Sequence, residues 1–387
     1  MTPPEVSLLG KRAWQAVDLD EPRDIETIPT PALLLDEALL SANVERMASF
    51  LAQRGKAPRP HAKTHKCPLI SRLQIAAGAV GICVAKASEA LVHAQGEVGD
   101  ILITSPVVDP ARVPLLAEAN RLCADLKIVV DSDAGLDTAR AAAAASERTL
   151  GVVLDIDVEM GRTGSRDPTT LLRLAEACEA APELALRGAQ HYAGHLMHVA
   201  PYTERRERSH ASWGAALDII ETIRAQGHSL DIVTGAGTGT FDIDSELDAL
   251  TDLQVGSYIF MDEEYLAIEP APDAKAGHFA TSLTILASVI SEPVSGLVTL
   301  DCGYKAMASE TVVPGVSELP DARFRFAGDE HAVLILKRGS QQPLLGTRLQ
   351  LVTPHCDPTV NLYDYYWVHR DGVAHSLWPI AARGCSW

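Results

Sequence analysis

Between residues 30 and 270 a short apolar run followed by a helix-like segment recurs about eight times. The runs include Ala32–Leu35, Val80–Val84, Ile101–Thr104, Ile128–Asp131, Gly151–Ile156 and Asp231–Thr234, with further runs near 186–192 and 254–260. Strands that are apolar on both faces belong in a parallel sheet covered by helices. Eight such units in about 240 residues predict an α/β fold, a (β/α)8 TIM barrel, over an open doubly wound sheet. With a short strand before Lys63 included, the count comes to one strand more than eight. The helices carry their own signals. Asp36 is placed to cap a helix running to about Gln53, with Leu40, Met47 and Leu51 on one face and Gly55 just past its end. The alanine-rich stretch 134–146 is a strong helix former, and a long helix is expected over 204–226.

After about residue 275 the texture changes. Apolar runs at 281–290, 297–301, 333–336 and 349–353 are separated by Gly, Pro and Asp turns. They predict a mostly antiparallel β domain over 276–387, beside a barrel domain over 28–275. A length of 387 residues also suits two domains. The net charge of −18 argues against a nucleic-acid partner or an anionic membrane. The seven cysteines are scattered without a C-x-x-C pair, so neither a zinc ribbon nor a disulfide framework is indicated. The N-terminal stretch has no apolar leader core and no run approaches a membrane span, so a cytoplasmic location is expected.

The stretch Arg59-Pro60-His61-Ala62-Lys63-Thr64-His65-Lys66 follows a predicted strand. Crowded cations disfavour one another's protonation, which would leave the Lys63 amine nucleophilic enough to join an aldehyde. Pyridoxal 5'-phosphate (PLP) is the commonest cofactor held that way. Thr234 to Thr240 follows a late strand, and its alternating glycines let backbone N–H groups approach an anion. The loops after late barrel strands are the usual phosphate seat, although a tight turn would read the same. Gln254 to Tyr258 ends the next run and offers a second contact. Asp155 to Gly164 lies at another strand end, with Arg162 able to hold a carboxylate or phenolate oxygen. Gln190 to His198 packs three histidines and Tyr192 into nine residues, a density that suggests acid–base work. In extended backbone His355 and Asp357 share a face while Cys356 turns away, and imidazole plus carboxylate suits Mg²⁺ or Mn²⁺.

Together these stretches resemble the D-threonine aldolase/D-serine dehydratase family, PLP enzymes of the alanine-racemase-like fold. The likeness is carried by Pro60 to Lys66, Gly161-Arg162-Thr163-Gly164, Thr234 to Thr240, Gly256-Ser257-Tyr258, Asp301 to Ala306 and Pro354 to Thr359. It implies a PLP-bearing barrel with a β domain that the N-terminal segment 1–27 joins, and a homodimer. It also makes Lys63 the Schiff-base lysine and puts Arg162 beside the cofactor. Gly237, Thr238, Gly239, Ser257 and Tyr258 fall on the phosphate-binding loops, Tyr192 and His198 on active-site positions, and His355 and Asp357 on the metal pair. The dehydratase branch has His-x-Cys at that pair with zinc, whereas His-x-Asp is the aldolase pattern. The loop Tyr192 to His198 looks closer to 3-hydroxy-D-aspartate aldolases, with His195 as a candidate partner for a second substrate carboxylate. The resemblance thus implies a reversible retro-aldol cleavage of 3-hydroxy-D-aspartate to glycine and glyoxylate. D-Threonine aldolase is the first alternative and D-serine dehydratase another. A non-catalytic PLP carrier and an unrelated phosphate-binding barrel enzyme are the readings from other classes.

Overall fold

The structure, a computed structural model, describes residues 14–272, 277–310 and 312–387. Its first strands do not enter the barrel. β1 (Val17–Asp24) and β2 (Ala32–Asp36) lie in a second sheet, which accounts for the surplus in the strand count. β2 pairs antiparallel with β11 (Leu283–Val294), placing Leu35 opposite Leu283, and parallel with β17 (Tyr365–Arg370), placing Leu34 opposite Trp367. Leu33 and Leu35 face the main core, while Ala32 and Leu34 pack with Leu286, Trp367 and Leu377. A central strand covered on both faces carries the same apolar run as a barrel strand, so the run alone could not assign it.

The barrel strands are β3 (Ala57–Pro58), β4 (Ile82–Val84), β5 (Asp100–Ile103), β6 (Asp125–Val130), β7 (Leu150–Ile156), β8 (Leu184–His191), β9 (Ile232–Gly235) and β10 (Asp252–Leu253). All neighbours are parallel, in the order β3-β10-β9-β8-β7-β6-β5-β4. The free edges of β3 and β4 meet at His61 and Cys83: Ala62 N–H donates to Cys83 O at 2.7 Å and Cys83 N–H to Pro60 O at 2.8 Å. The sheet is therefore closed. The run near 254–260 is mostly not strand, since β10 ends at Leu253 and a 3₁₀ turn follows at Ser257–Ile259.

The barrel interior is filled in layers. At the N-terminal end of the strands, Arg59 pairs with Asp100 and with Asp252 (3.1 Å), Lys127 with Asp100 (2.9 Å) and Asp125 (2.8 Å), and Arg187 with Asp125 (3.2 Å). Gly81 makes room for this plug, because a Cβ there would lie 2.3 Å from Asp100 Oδ1. Cys83, Leu102, Val129 and Val153 form an apolar layer above it. Above that again lies a polar layer: Gln190 Nε2 donates to Asp155 Oδ1 (2.9 Å), and Gln254 Nε2 donates to Gln190 Oε1 (2.9 Å). Helices cover the outside. The longest, Tyr202–Ala225, buries Arg205, Ser209, Ser212, Trp213, Ala216, Ile220 and Ile223, one face at three- and four-residue spacing.

The second sheet is mostly antiparallel, with order β1-β18-β17-β2-β11-β12-β15-β14; β16 pairs with β11, and β13 with β16. Its remaining strands are β12 (Leu297–Leu300), β13 (Gly315–Val316), β14 (Arg323–Phe326), β15 (Ala332–Ile335), β16 (Arg348–Val352) and β18 (Val373–Pro379). Sequence pattern had found β11, β12, β15 and β16. Among the described residues no helix is long and apolar enough to cross a membrane.

Candidate active site

A cavity of about 180 Å³ opens at the C-terminal ends of the barrel strands. Its wall takes Lys63 from the turn after β3, Arg162 and Thr163 from after β7, Tyr192 from after β8, Gly237 and Thr238 from after β9, and Ser257 from after β10. His61, Gln190 and Gln254 of the barrel interior also face it. The strands thus gather in one place residues that sequence reading took from five separate stretches.

Lys63 Nζ lies 3.3 Å from Asp357 Oδ2, across the junction of barrel and β domain. The Asp357 carboxylate holds the ammonium well above its ordinary range. Burial pushes Asp357 upward, but Lys63 and His355 outweigh it and carry the acid down to about 2. The crowded-cation argument for Lys63 is therefore corrected. Lys66 turns away and pairs with Glu89 in the interior, so the two lysines do not face each other. The turn that separates them is closed by Lys66 N–H donating to Ala62 O at 2.7 Å, with Lys66 at φ 51°.

The loop after β9 is pressed onto the turn at Gly194–Leu196. A Cβ on Gly239 would lie 2.1 Å from Met197 O, and one on Gly237 2.6 Å from Met197 Sδ. Below it, Thr240 Oγ1 donates to Asp244 Oδ2 and Ser209 Oγ to Asp244 Oδ1, both at 2.5 Å. Thr238 Oγ1 accepts from Tyr258 N–H at 3.1 Å. Tyr258 meets the loop through that backbone group only. Its ring is buried against Phe279, and its hydroxyl accepts from Gln74 Nε2 at 3.0 Å. Arg162 stacks over the Tyr192 ring, 5.1 Å from its centroid.

The three histidines of 191–198 go three ways. His191 is structural: its Nδ1 meets Ile156 O at 3.1 Å, its Nε2 meets Ser212 Oγ at 2.9 Å, and its ring packs edge-on to Trp213. His195 is exposed and, like His198, His355 and Asp357, is not part of the cavity wall. His198 reaches the metal-pair corner, with Nε2 3.7 Å from Glu264 Oε2 and its ring 4.6 Å from that of Tyr265. His198 is exposed on its outer side, and desolvation of the rest of the ring holds it below the ordinary imidazole range.

His355 and Asp357 are not on a strand. His355 is the extended residue capping a short helix, Cys356–Val360, and Asp357 lies in its first turn. They face the same corner because that turn does, and not because of strand alternation. His355 Nδ1 is buried without a hydrogen-bond partner and lies 3.7 Å from Glu264 Oε2. Among the described residues no three His, Cys, Asp or Glu side chains form a ready-made metal cluster.

Sequence reading missed Asp262 and Glu264. Asp262 is fully buried, and its two oxygens accept from Tyr265 N–H (3.1 Å) and Cys356 N–H (2.9 Å), capping the helix Glu263–Leu266 and tying it to the next. The only local signal was the acidic run Asp262-Glu263-Glu264 after the last barrel strand.

Residues 35–264 match the family described as alanine racemase, N-terminal domain, and residues 282–369 match the putative serine dehydratase domain. A D-threonine aldolase from Arthrobacter sp is 38% identical over 360 residues, covering 93% of this chain and 94% of that one. A 3-hydroxy-D-aspartate aldolase from Paracoccus denitrificans (strain Pd 1222) is 33% identical over 364 residues, covering 93% and 94%. The crystal structure of D-threonine aldolase from Filomicrobium marinum superposes with a TM-score of 0.90 at 31% identity, covering 96% of this chain and all of that one. With its barrel, its appended antiparallel sheet and its full-length likeness to these aldolases, the chain belongs to the D-threonine aldolase/D-serine dehydratase family of the alanine-racemase-like fold.

Proposed function

We propose that this protein is a PLP- and divalent-metal-dependent aldolase that cleaves a D-3-hydroxy amino acid to glycine and an aldehyde. The observation that carries the reading is the Lys63 amine 3.3 Å from the Asp357 carboxylate, next to the unpartnered Nδ1 of His355. An amine beside an imidazole and a carboxylate supports a reaction that needs both a carbonyl-binding group and a cation.

The cavity fits PLP. Lys63 is the amine that would join the cofactor aldehyde, and Gly237, Thr238, Gly239, Gly256 and Ser257 would hold the phosphate, with the Tyr258 backbone N–H holding the Thr238 hydroxyl in place. Gly256 is part of that cradle because a Cβ there would lie 2.7 Å from Thr64 Oγ1, on the lysine turn. Arg162 would face the ring oxygen and Tyr192 would flank the ring. PLP supplies an electron sink for the charge left on Cα when the Cα–Cβ bond breaks. His355 and Asp357 fit Mg²⁺ or Mn²⁺, one nitrogen and one carboxylate oxygen without a thiolate. Such a cation supplies Lewis acidity that lowers the pKa of the β-hydroxyl. His198, beside the metal pair, is the candidate base for the hydroxyl proton.

One observation favours D-threonine over 3-hydroxy-D-aspartate: the corner beyond Asp357 presents Glu264 and Tyr265. An uncharged β-substituent suits that corner better than a carboxylate does. Product analysis with D-threonine, 3-hydroxy-D-aspartate and D-serine, with and without Mn²⁺, tests the reading. Acetaldehyde with glycine is expected, whereas glyoxylate would reverse the substrate choice and pyruvate would indicate the dehydratase. Lys63→Ala should lose the imine absorbance of bound PLP, and an unchanged spectrum would remove the assignment of Lys63.

A further inference from the structure

Glu264 occupies a place that neither the sequence reading nor the proposed reaction uses. Its carboxylate is only 10% exposed, and one oxygen, Oε2, lies 3.7 Å from both His355 Nδ1 and His198 Nε2. The arrangement is built into the backbone. Asp262 caps the Glu264 helix and holds Cys356 N–H, Glu263 N–H donates to Thr353 O at 3.1 Å, and Glu264 N–H donates to Pro354 O at 3.4 Å. The segment carrying Glu264 and the segment carrying His355 are therefore fixed side by side.

An imidazole that binds a cation through one nitrogen needs an acceptor for the N–H of the other; without one its tautomer and ring angle are unset. His355 Nδ1 is buried without a hydrogen-bond partner, and the carboxylate near it is that of Glu264. A shift of roughly half to one ångström would bring 3.7 Å into hydrogen-bond range. Since the described residues form no three-donor cluster, the geometry does not make Glu264 a third ligand.

We propose that Glu264 is a positioning residue whose carboxylate accepts the Nδ1–H of His355, turning Nε2 toward the cation, while the same oxygen fixes the ring of His198. The proposal rests on the metal reading above. Titration of Mn²⁺ into the PLP-loaded protein, followed by the paramagnetic resonance of unbound Mn²⁺, tests it with wild type, Glu264→Gln, Glu264→Ala, His198→Asn and His355→Ala. Glu264→Ala and Glu264→Gln should weaken Mn²⁺ binding by about 10–100-fold, with the PLP spectrum unchanged. His198→Asn should leave Mn²⁺ affinity close to that of wild type, and His355→Ala should abolish binding. Wild-type affinity in Glu264→Ala would overturn the proposal. Should Glu264→Ala fail to fold, wild-type affinity in Glu264→Gln would overturn it in the same way. A wild type that binds no Mn²⁺ would overturn the metal reading itself, a result distinct from loss of the Glu264 role.

Discussion

Two alanine substitutions in one loop, two residues apart, should have different consequences. In Gly239→Ala the new Cβ would fall 2.1 Å from the backbone oxygen of Met197. In Gly237→Ala it would fall 2.6 Å from Met197 Sδ, near the end of a flexible side chain. Neither glycine has a positive φ, so the difference is one of space and not of backbone strain. Sδ can swing aside, but the oxygen belongs to a turn held by Met197 N–H donating to Gly194 O at 3.2 Å. Gly239→Ala must therefore move the loop or the turn by roughly 1 Å to reach ordinary contact. On the phosphate role proposed for this loop, such a shift would lose at least one charge-assisted hydrogen bond, about 1.5–3 kcal/mol. That corresponds to about 10–150-fold weaker PLP binding. For Gly237→Ala a change within about threefold is expected, the cost of one adjusted methionine rotamer. Titration of each apoprotein with PLP, followed by absorbance, measures both. Equal affinities, or a weaker Gly237→Ala, would refute the reasoning that the clash with Met197 O governs the loop.

Two further substitutions test the barrel interior. Burial raises Asp155 to about 6, and its Oδ2 has no hydrogen-bond partner. Because the folded value lies above the unfolded one, the protonated acid favours folding below about pH 4, and that contribution fades as pH rises through about 6. Asp155→Asn should thus raise the melting temperature at pH 7.5 and not at pH 4, by up to about 3 kcal/mol in stability; a pH-independent difference would contradict this. Arg59→Met leaves Asp252 buried without its cation and should destabilise by about 3–5 kcal/mol, while substrate KM stays unchanged because the plug lies at the end of the barrel remote from the cavity. Denaturant unfolding and steady-state kinetics check the two halves of that statement.

Sequence pattern reached the barrel because strands buried on both faces cannot alternate in polarity, and Lys63, Gly237 and Thr238 meet on one cavity wall because each follows a barrel strand. Its errors have a common cause. β2 is also buried on both faces, so its apolar run did not say which sheet it joins. Lys63 and Lys66 are crowded along the chain but not in space, since the turn between them sends Lys66 to Glu89. The 3₁₀ turn at Gly194–Leu196 likewise disperses three neighbouring histidines to a core, a surface and a reactive corner. Asp262 and Glu264 resembled a solvated acidic turn, because what gives them a role is a segment about ninety residues further on.

The reacting groups proposed here come from two sheets, so the distance between the Lys63 amine and the Asp357 carboxylate is a property of how barrel and β domain pack. Three contacts contribute to it. Tyr366 Oη of β17 donates to His65 O at 2.7 Å, Ala382 N–H donates to Lys66 O at 3.0 Å, and Asp262 accepts from Cys356 N–H at 2.9 Å. The first two hold the lysine turn from the β-domain side, and the third holds the metal-pair turn from the barrel side. Each domain thus fixes the other's reactive segment, and neither half-site keeps its geometry without the partner domain. β2 strengthens the arrangement, because it enters the second sheet immediately before the helix Glu37–Ala52, whose end leads into β3 and Lys63. The N-terminal strands are therefore covalent struts between the two halves of the site, which explains why residues so far from the chemistry are placed in the middle of the β domain's sheet.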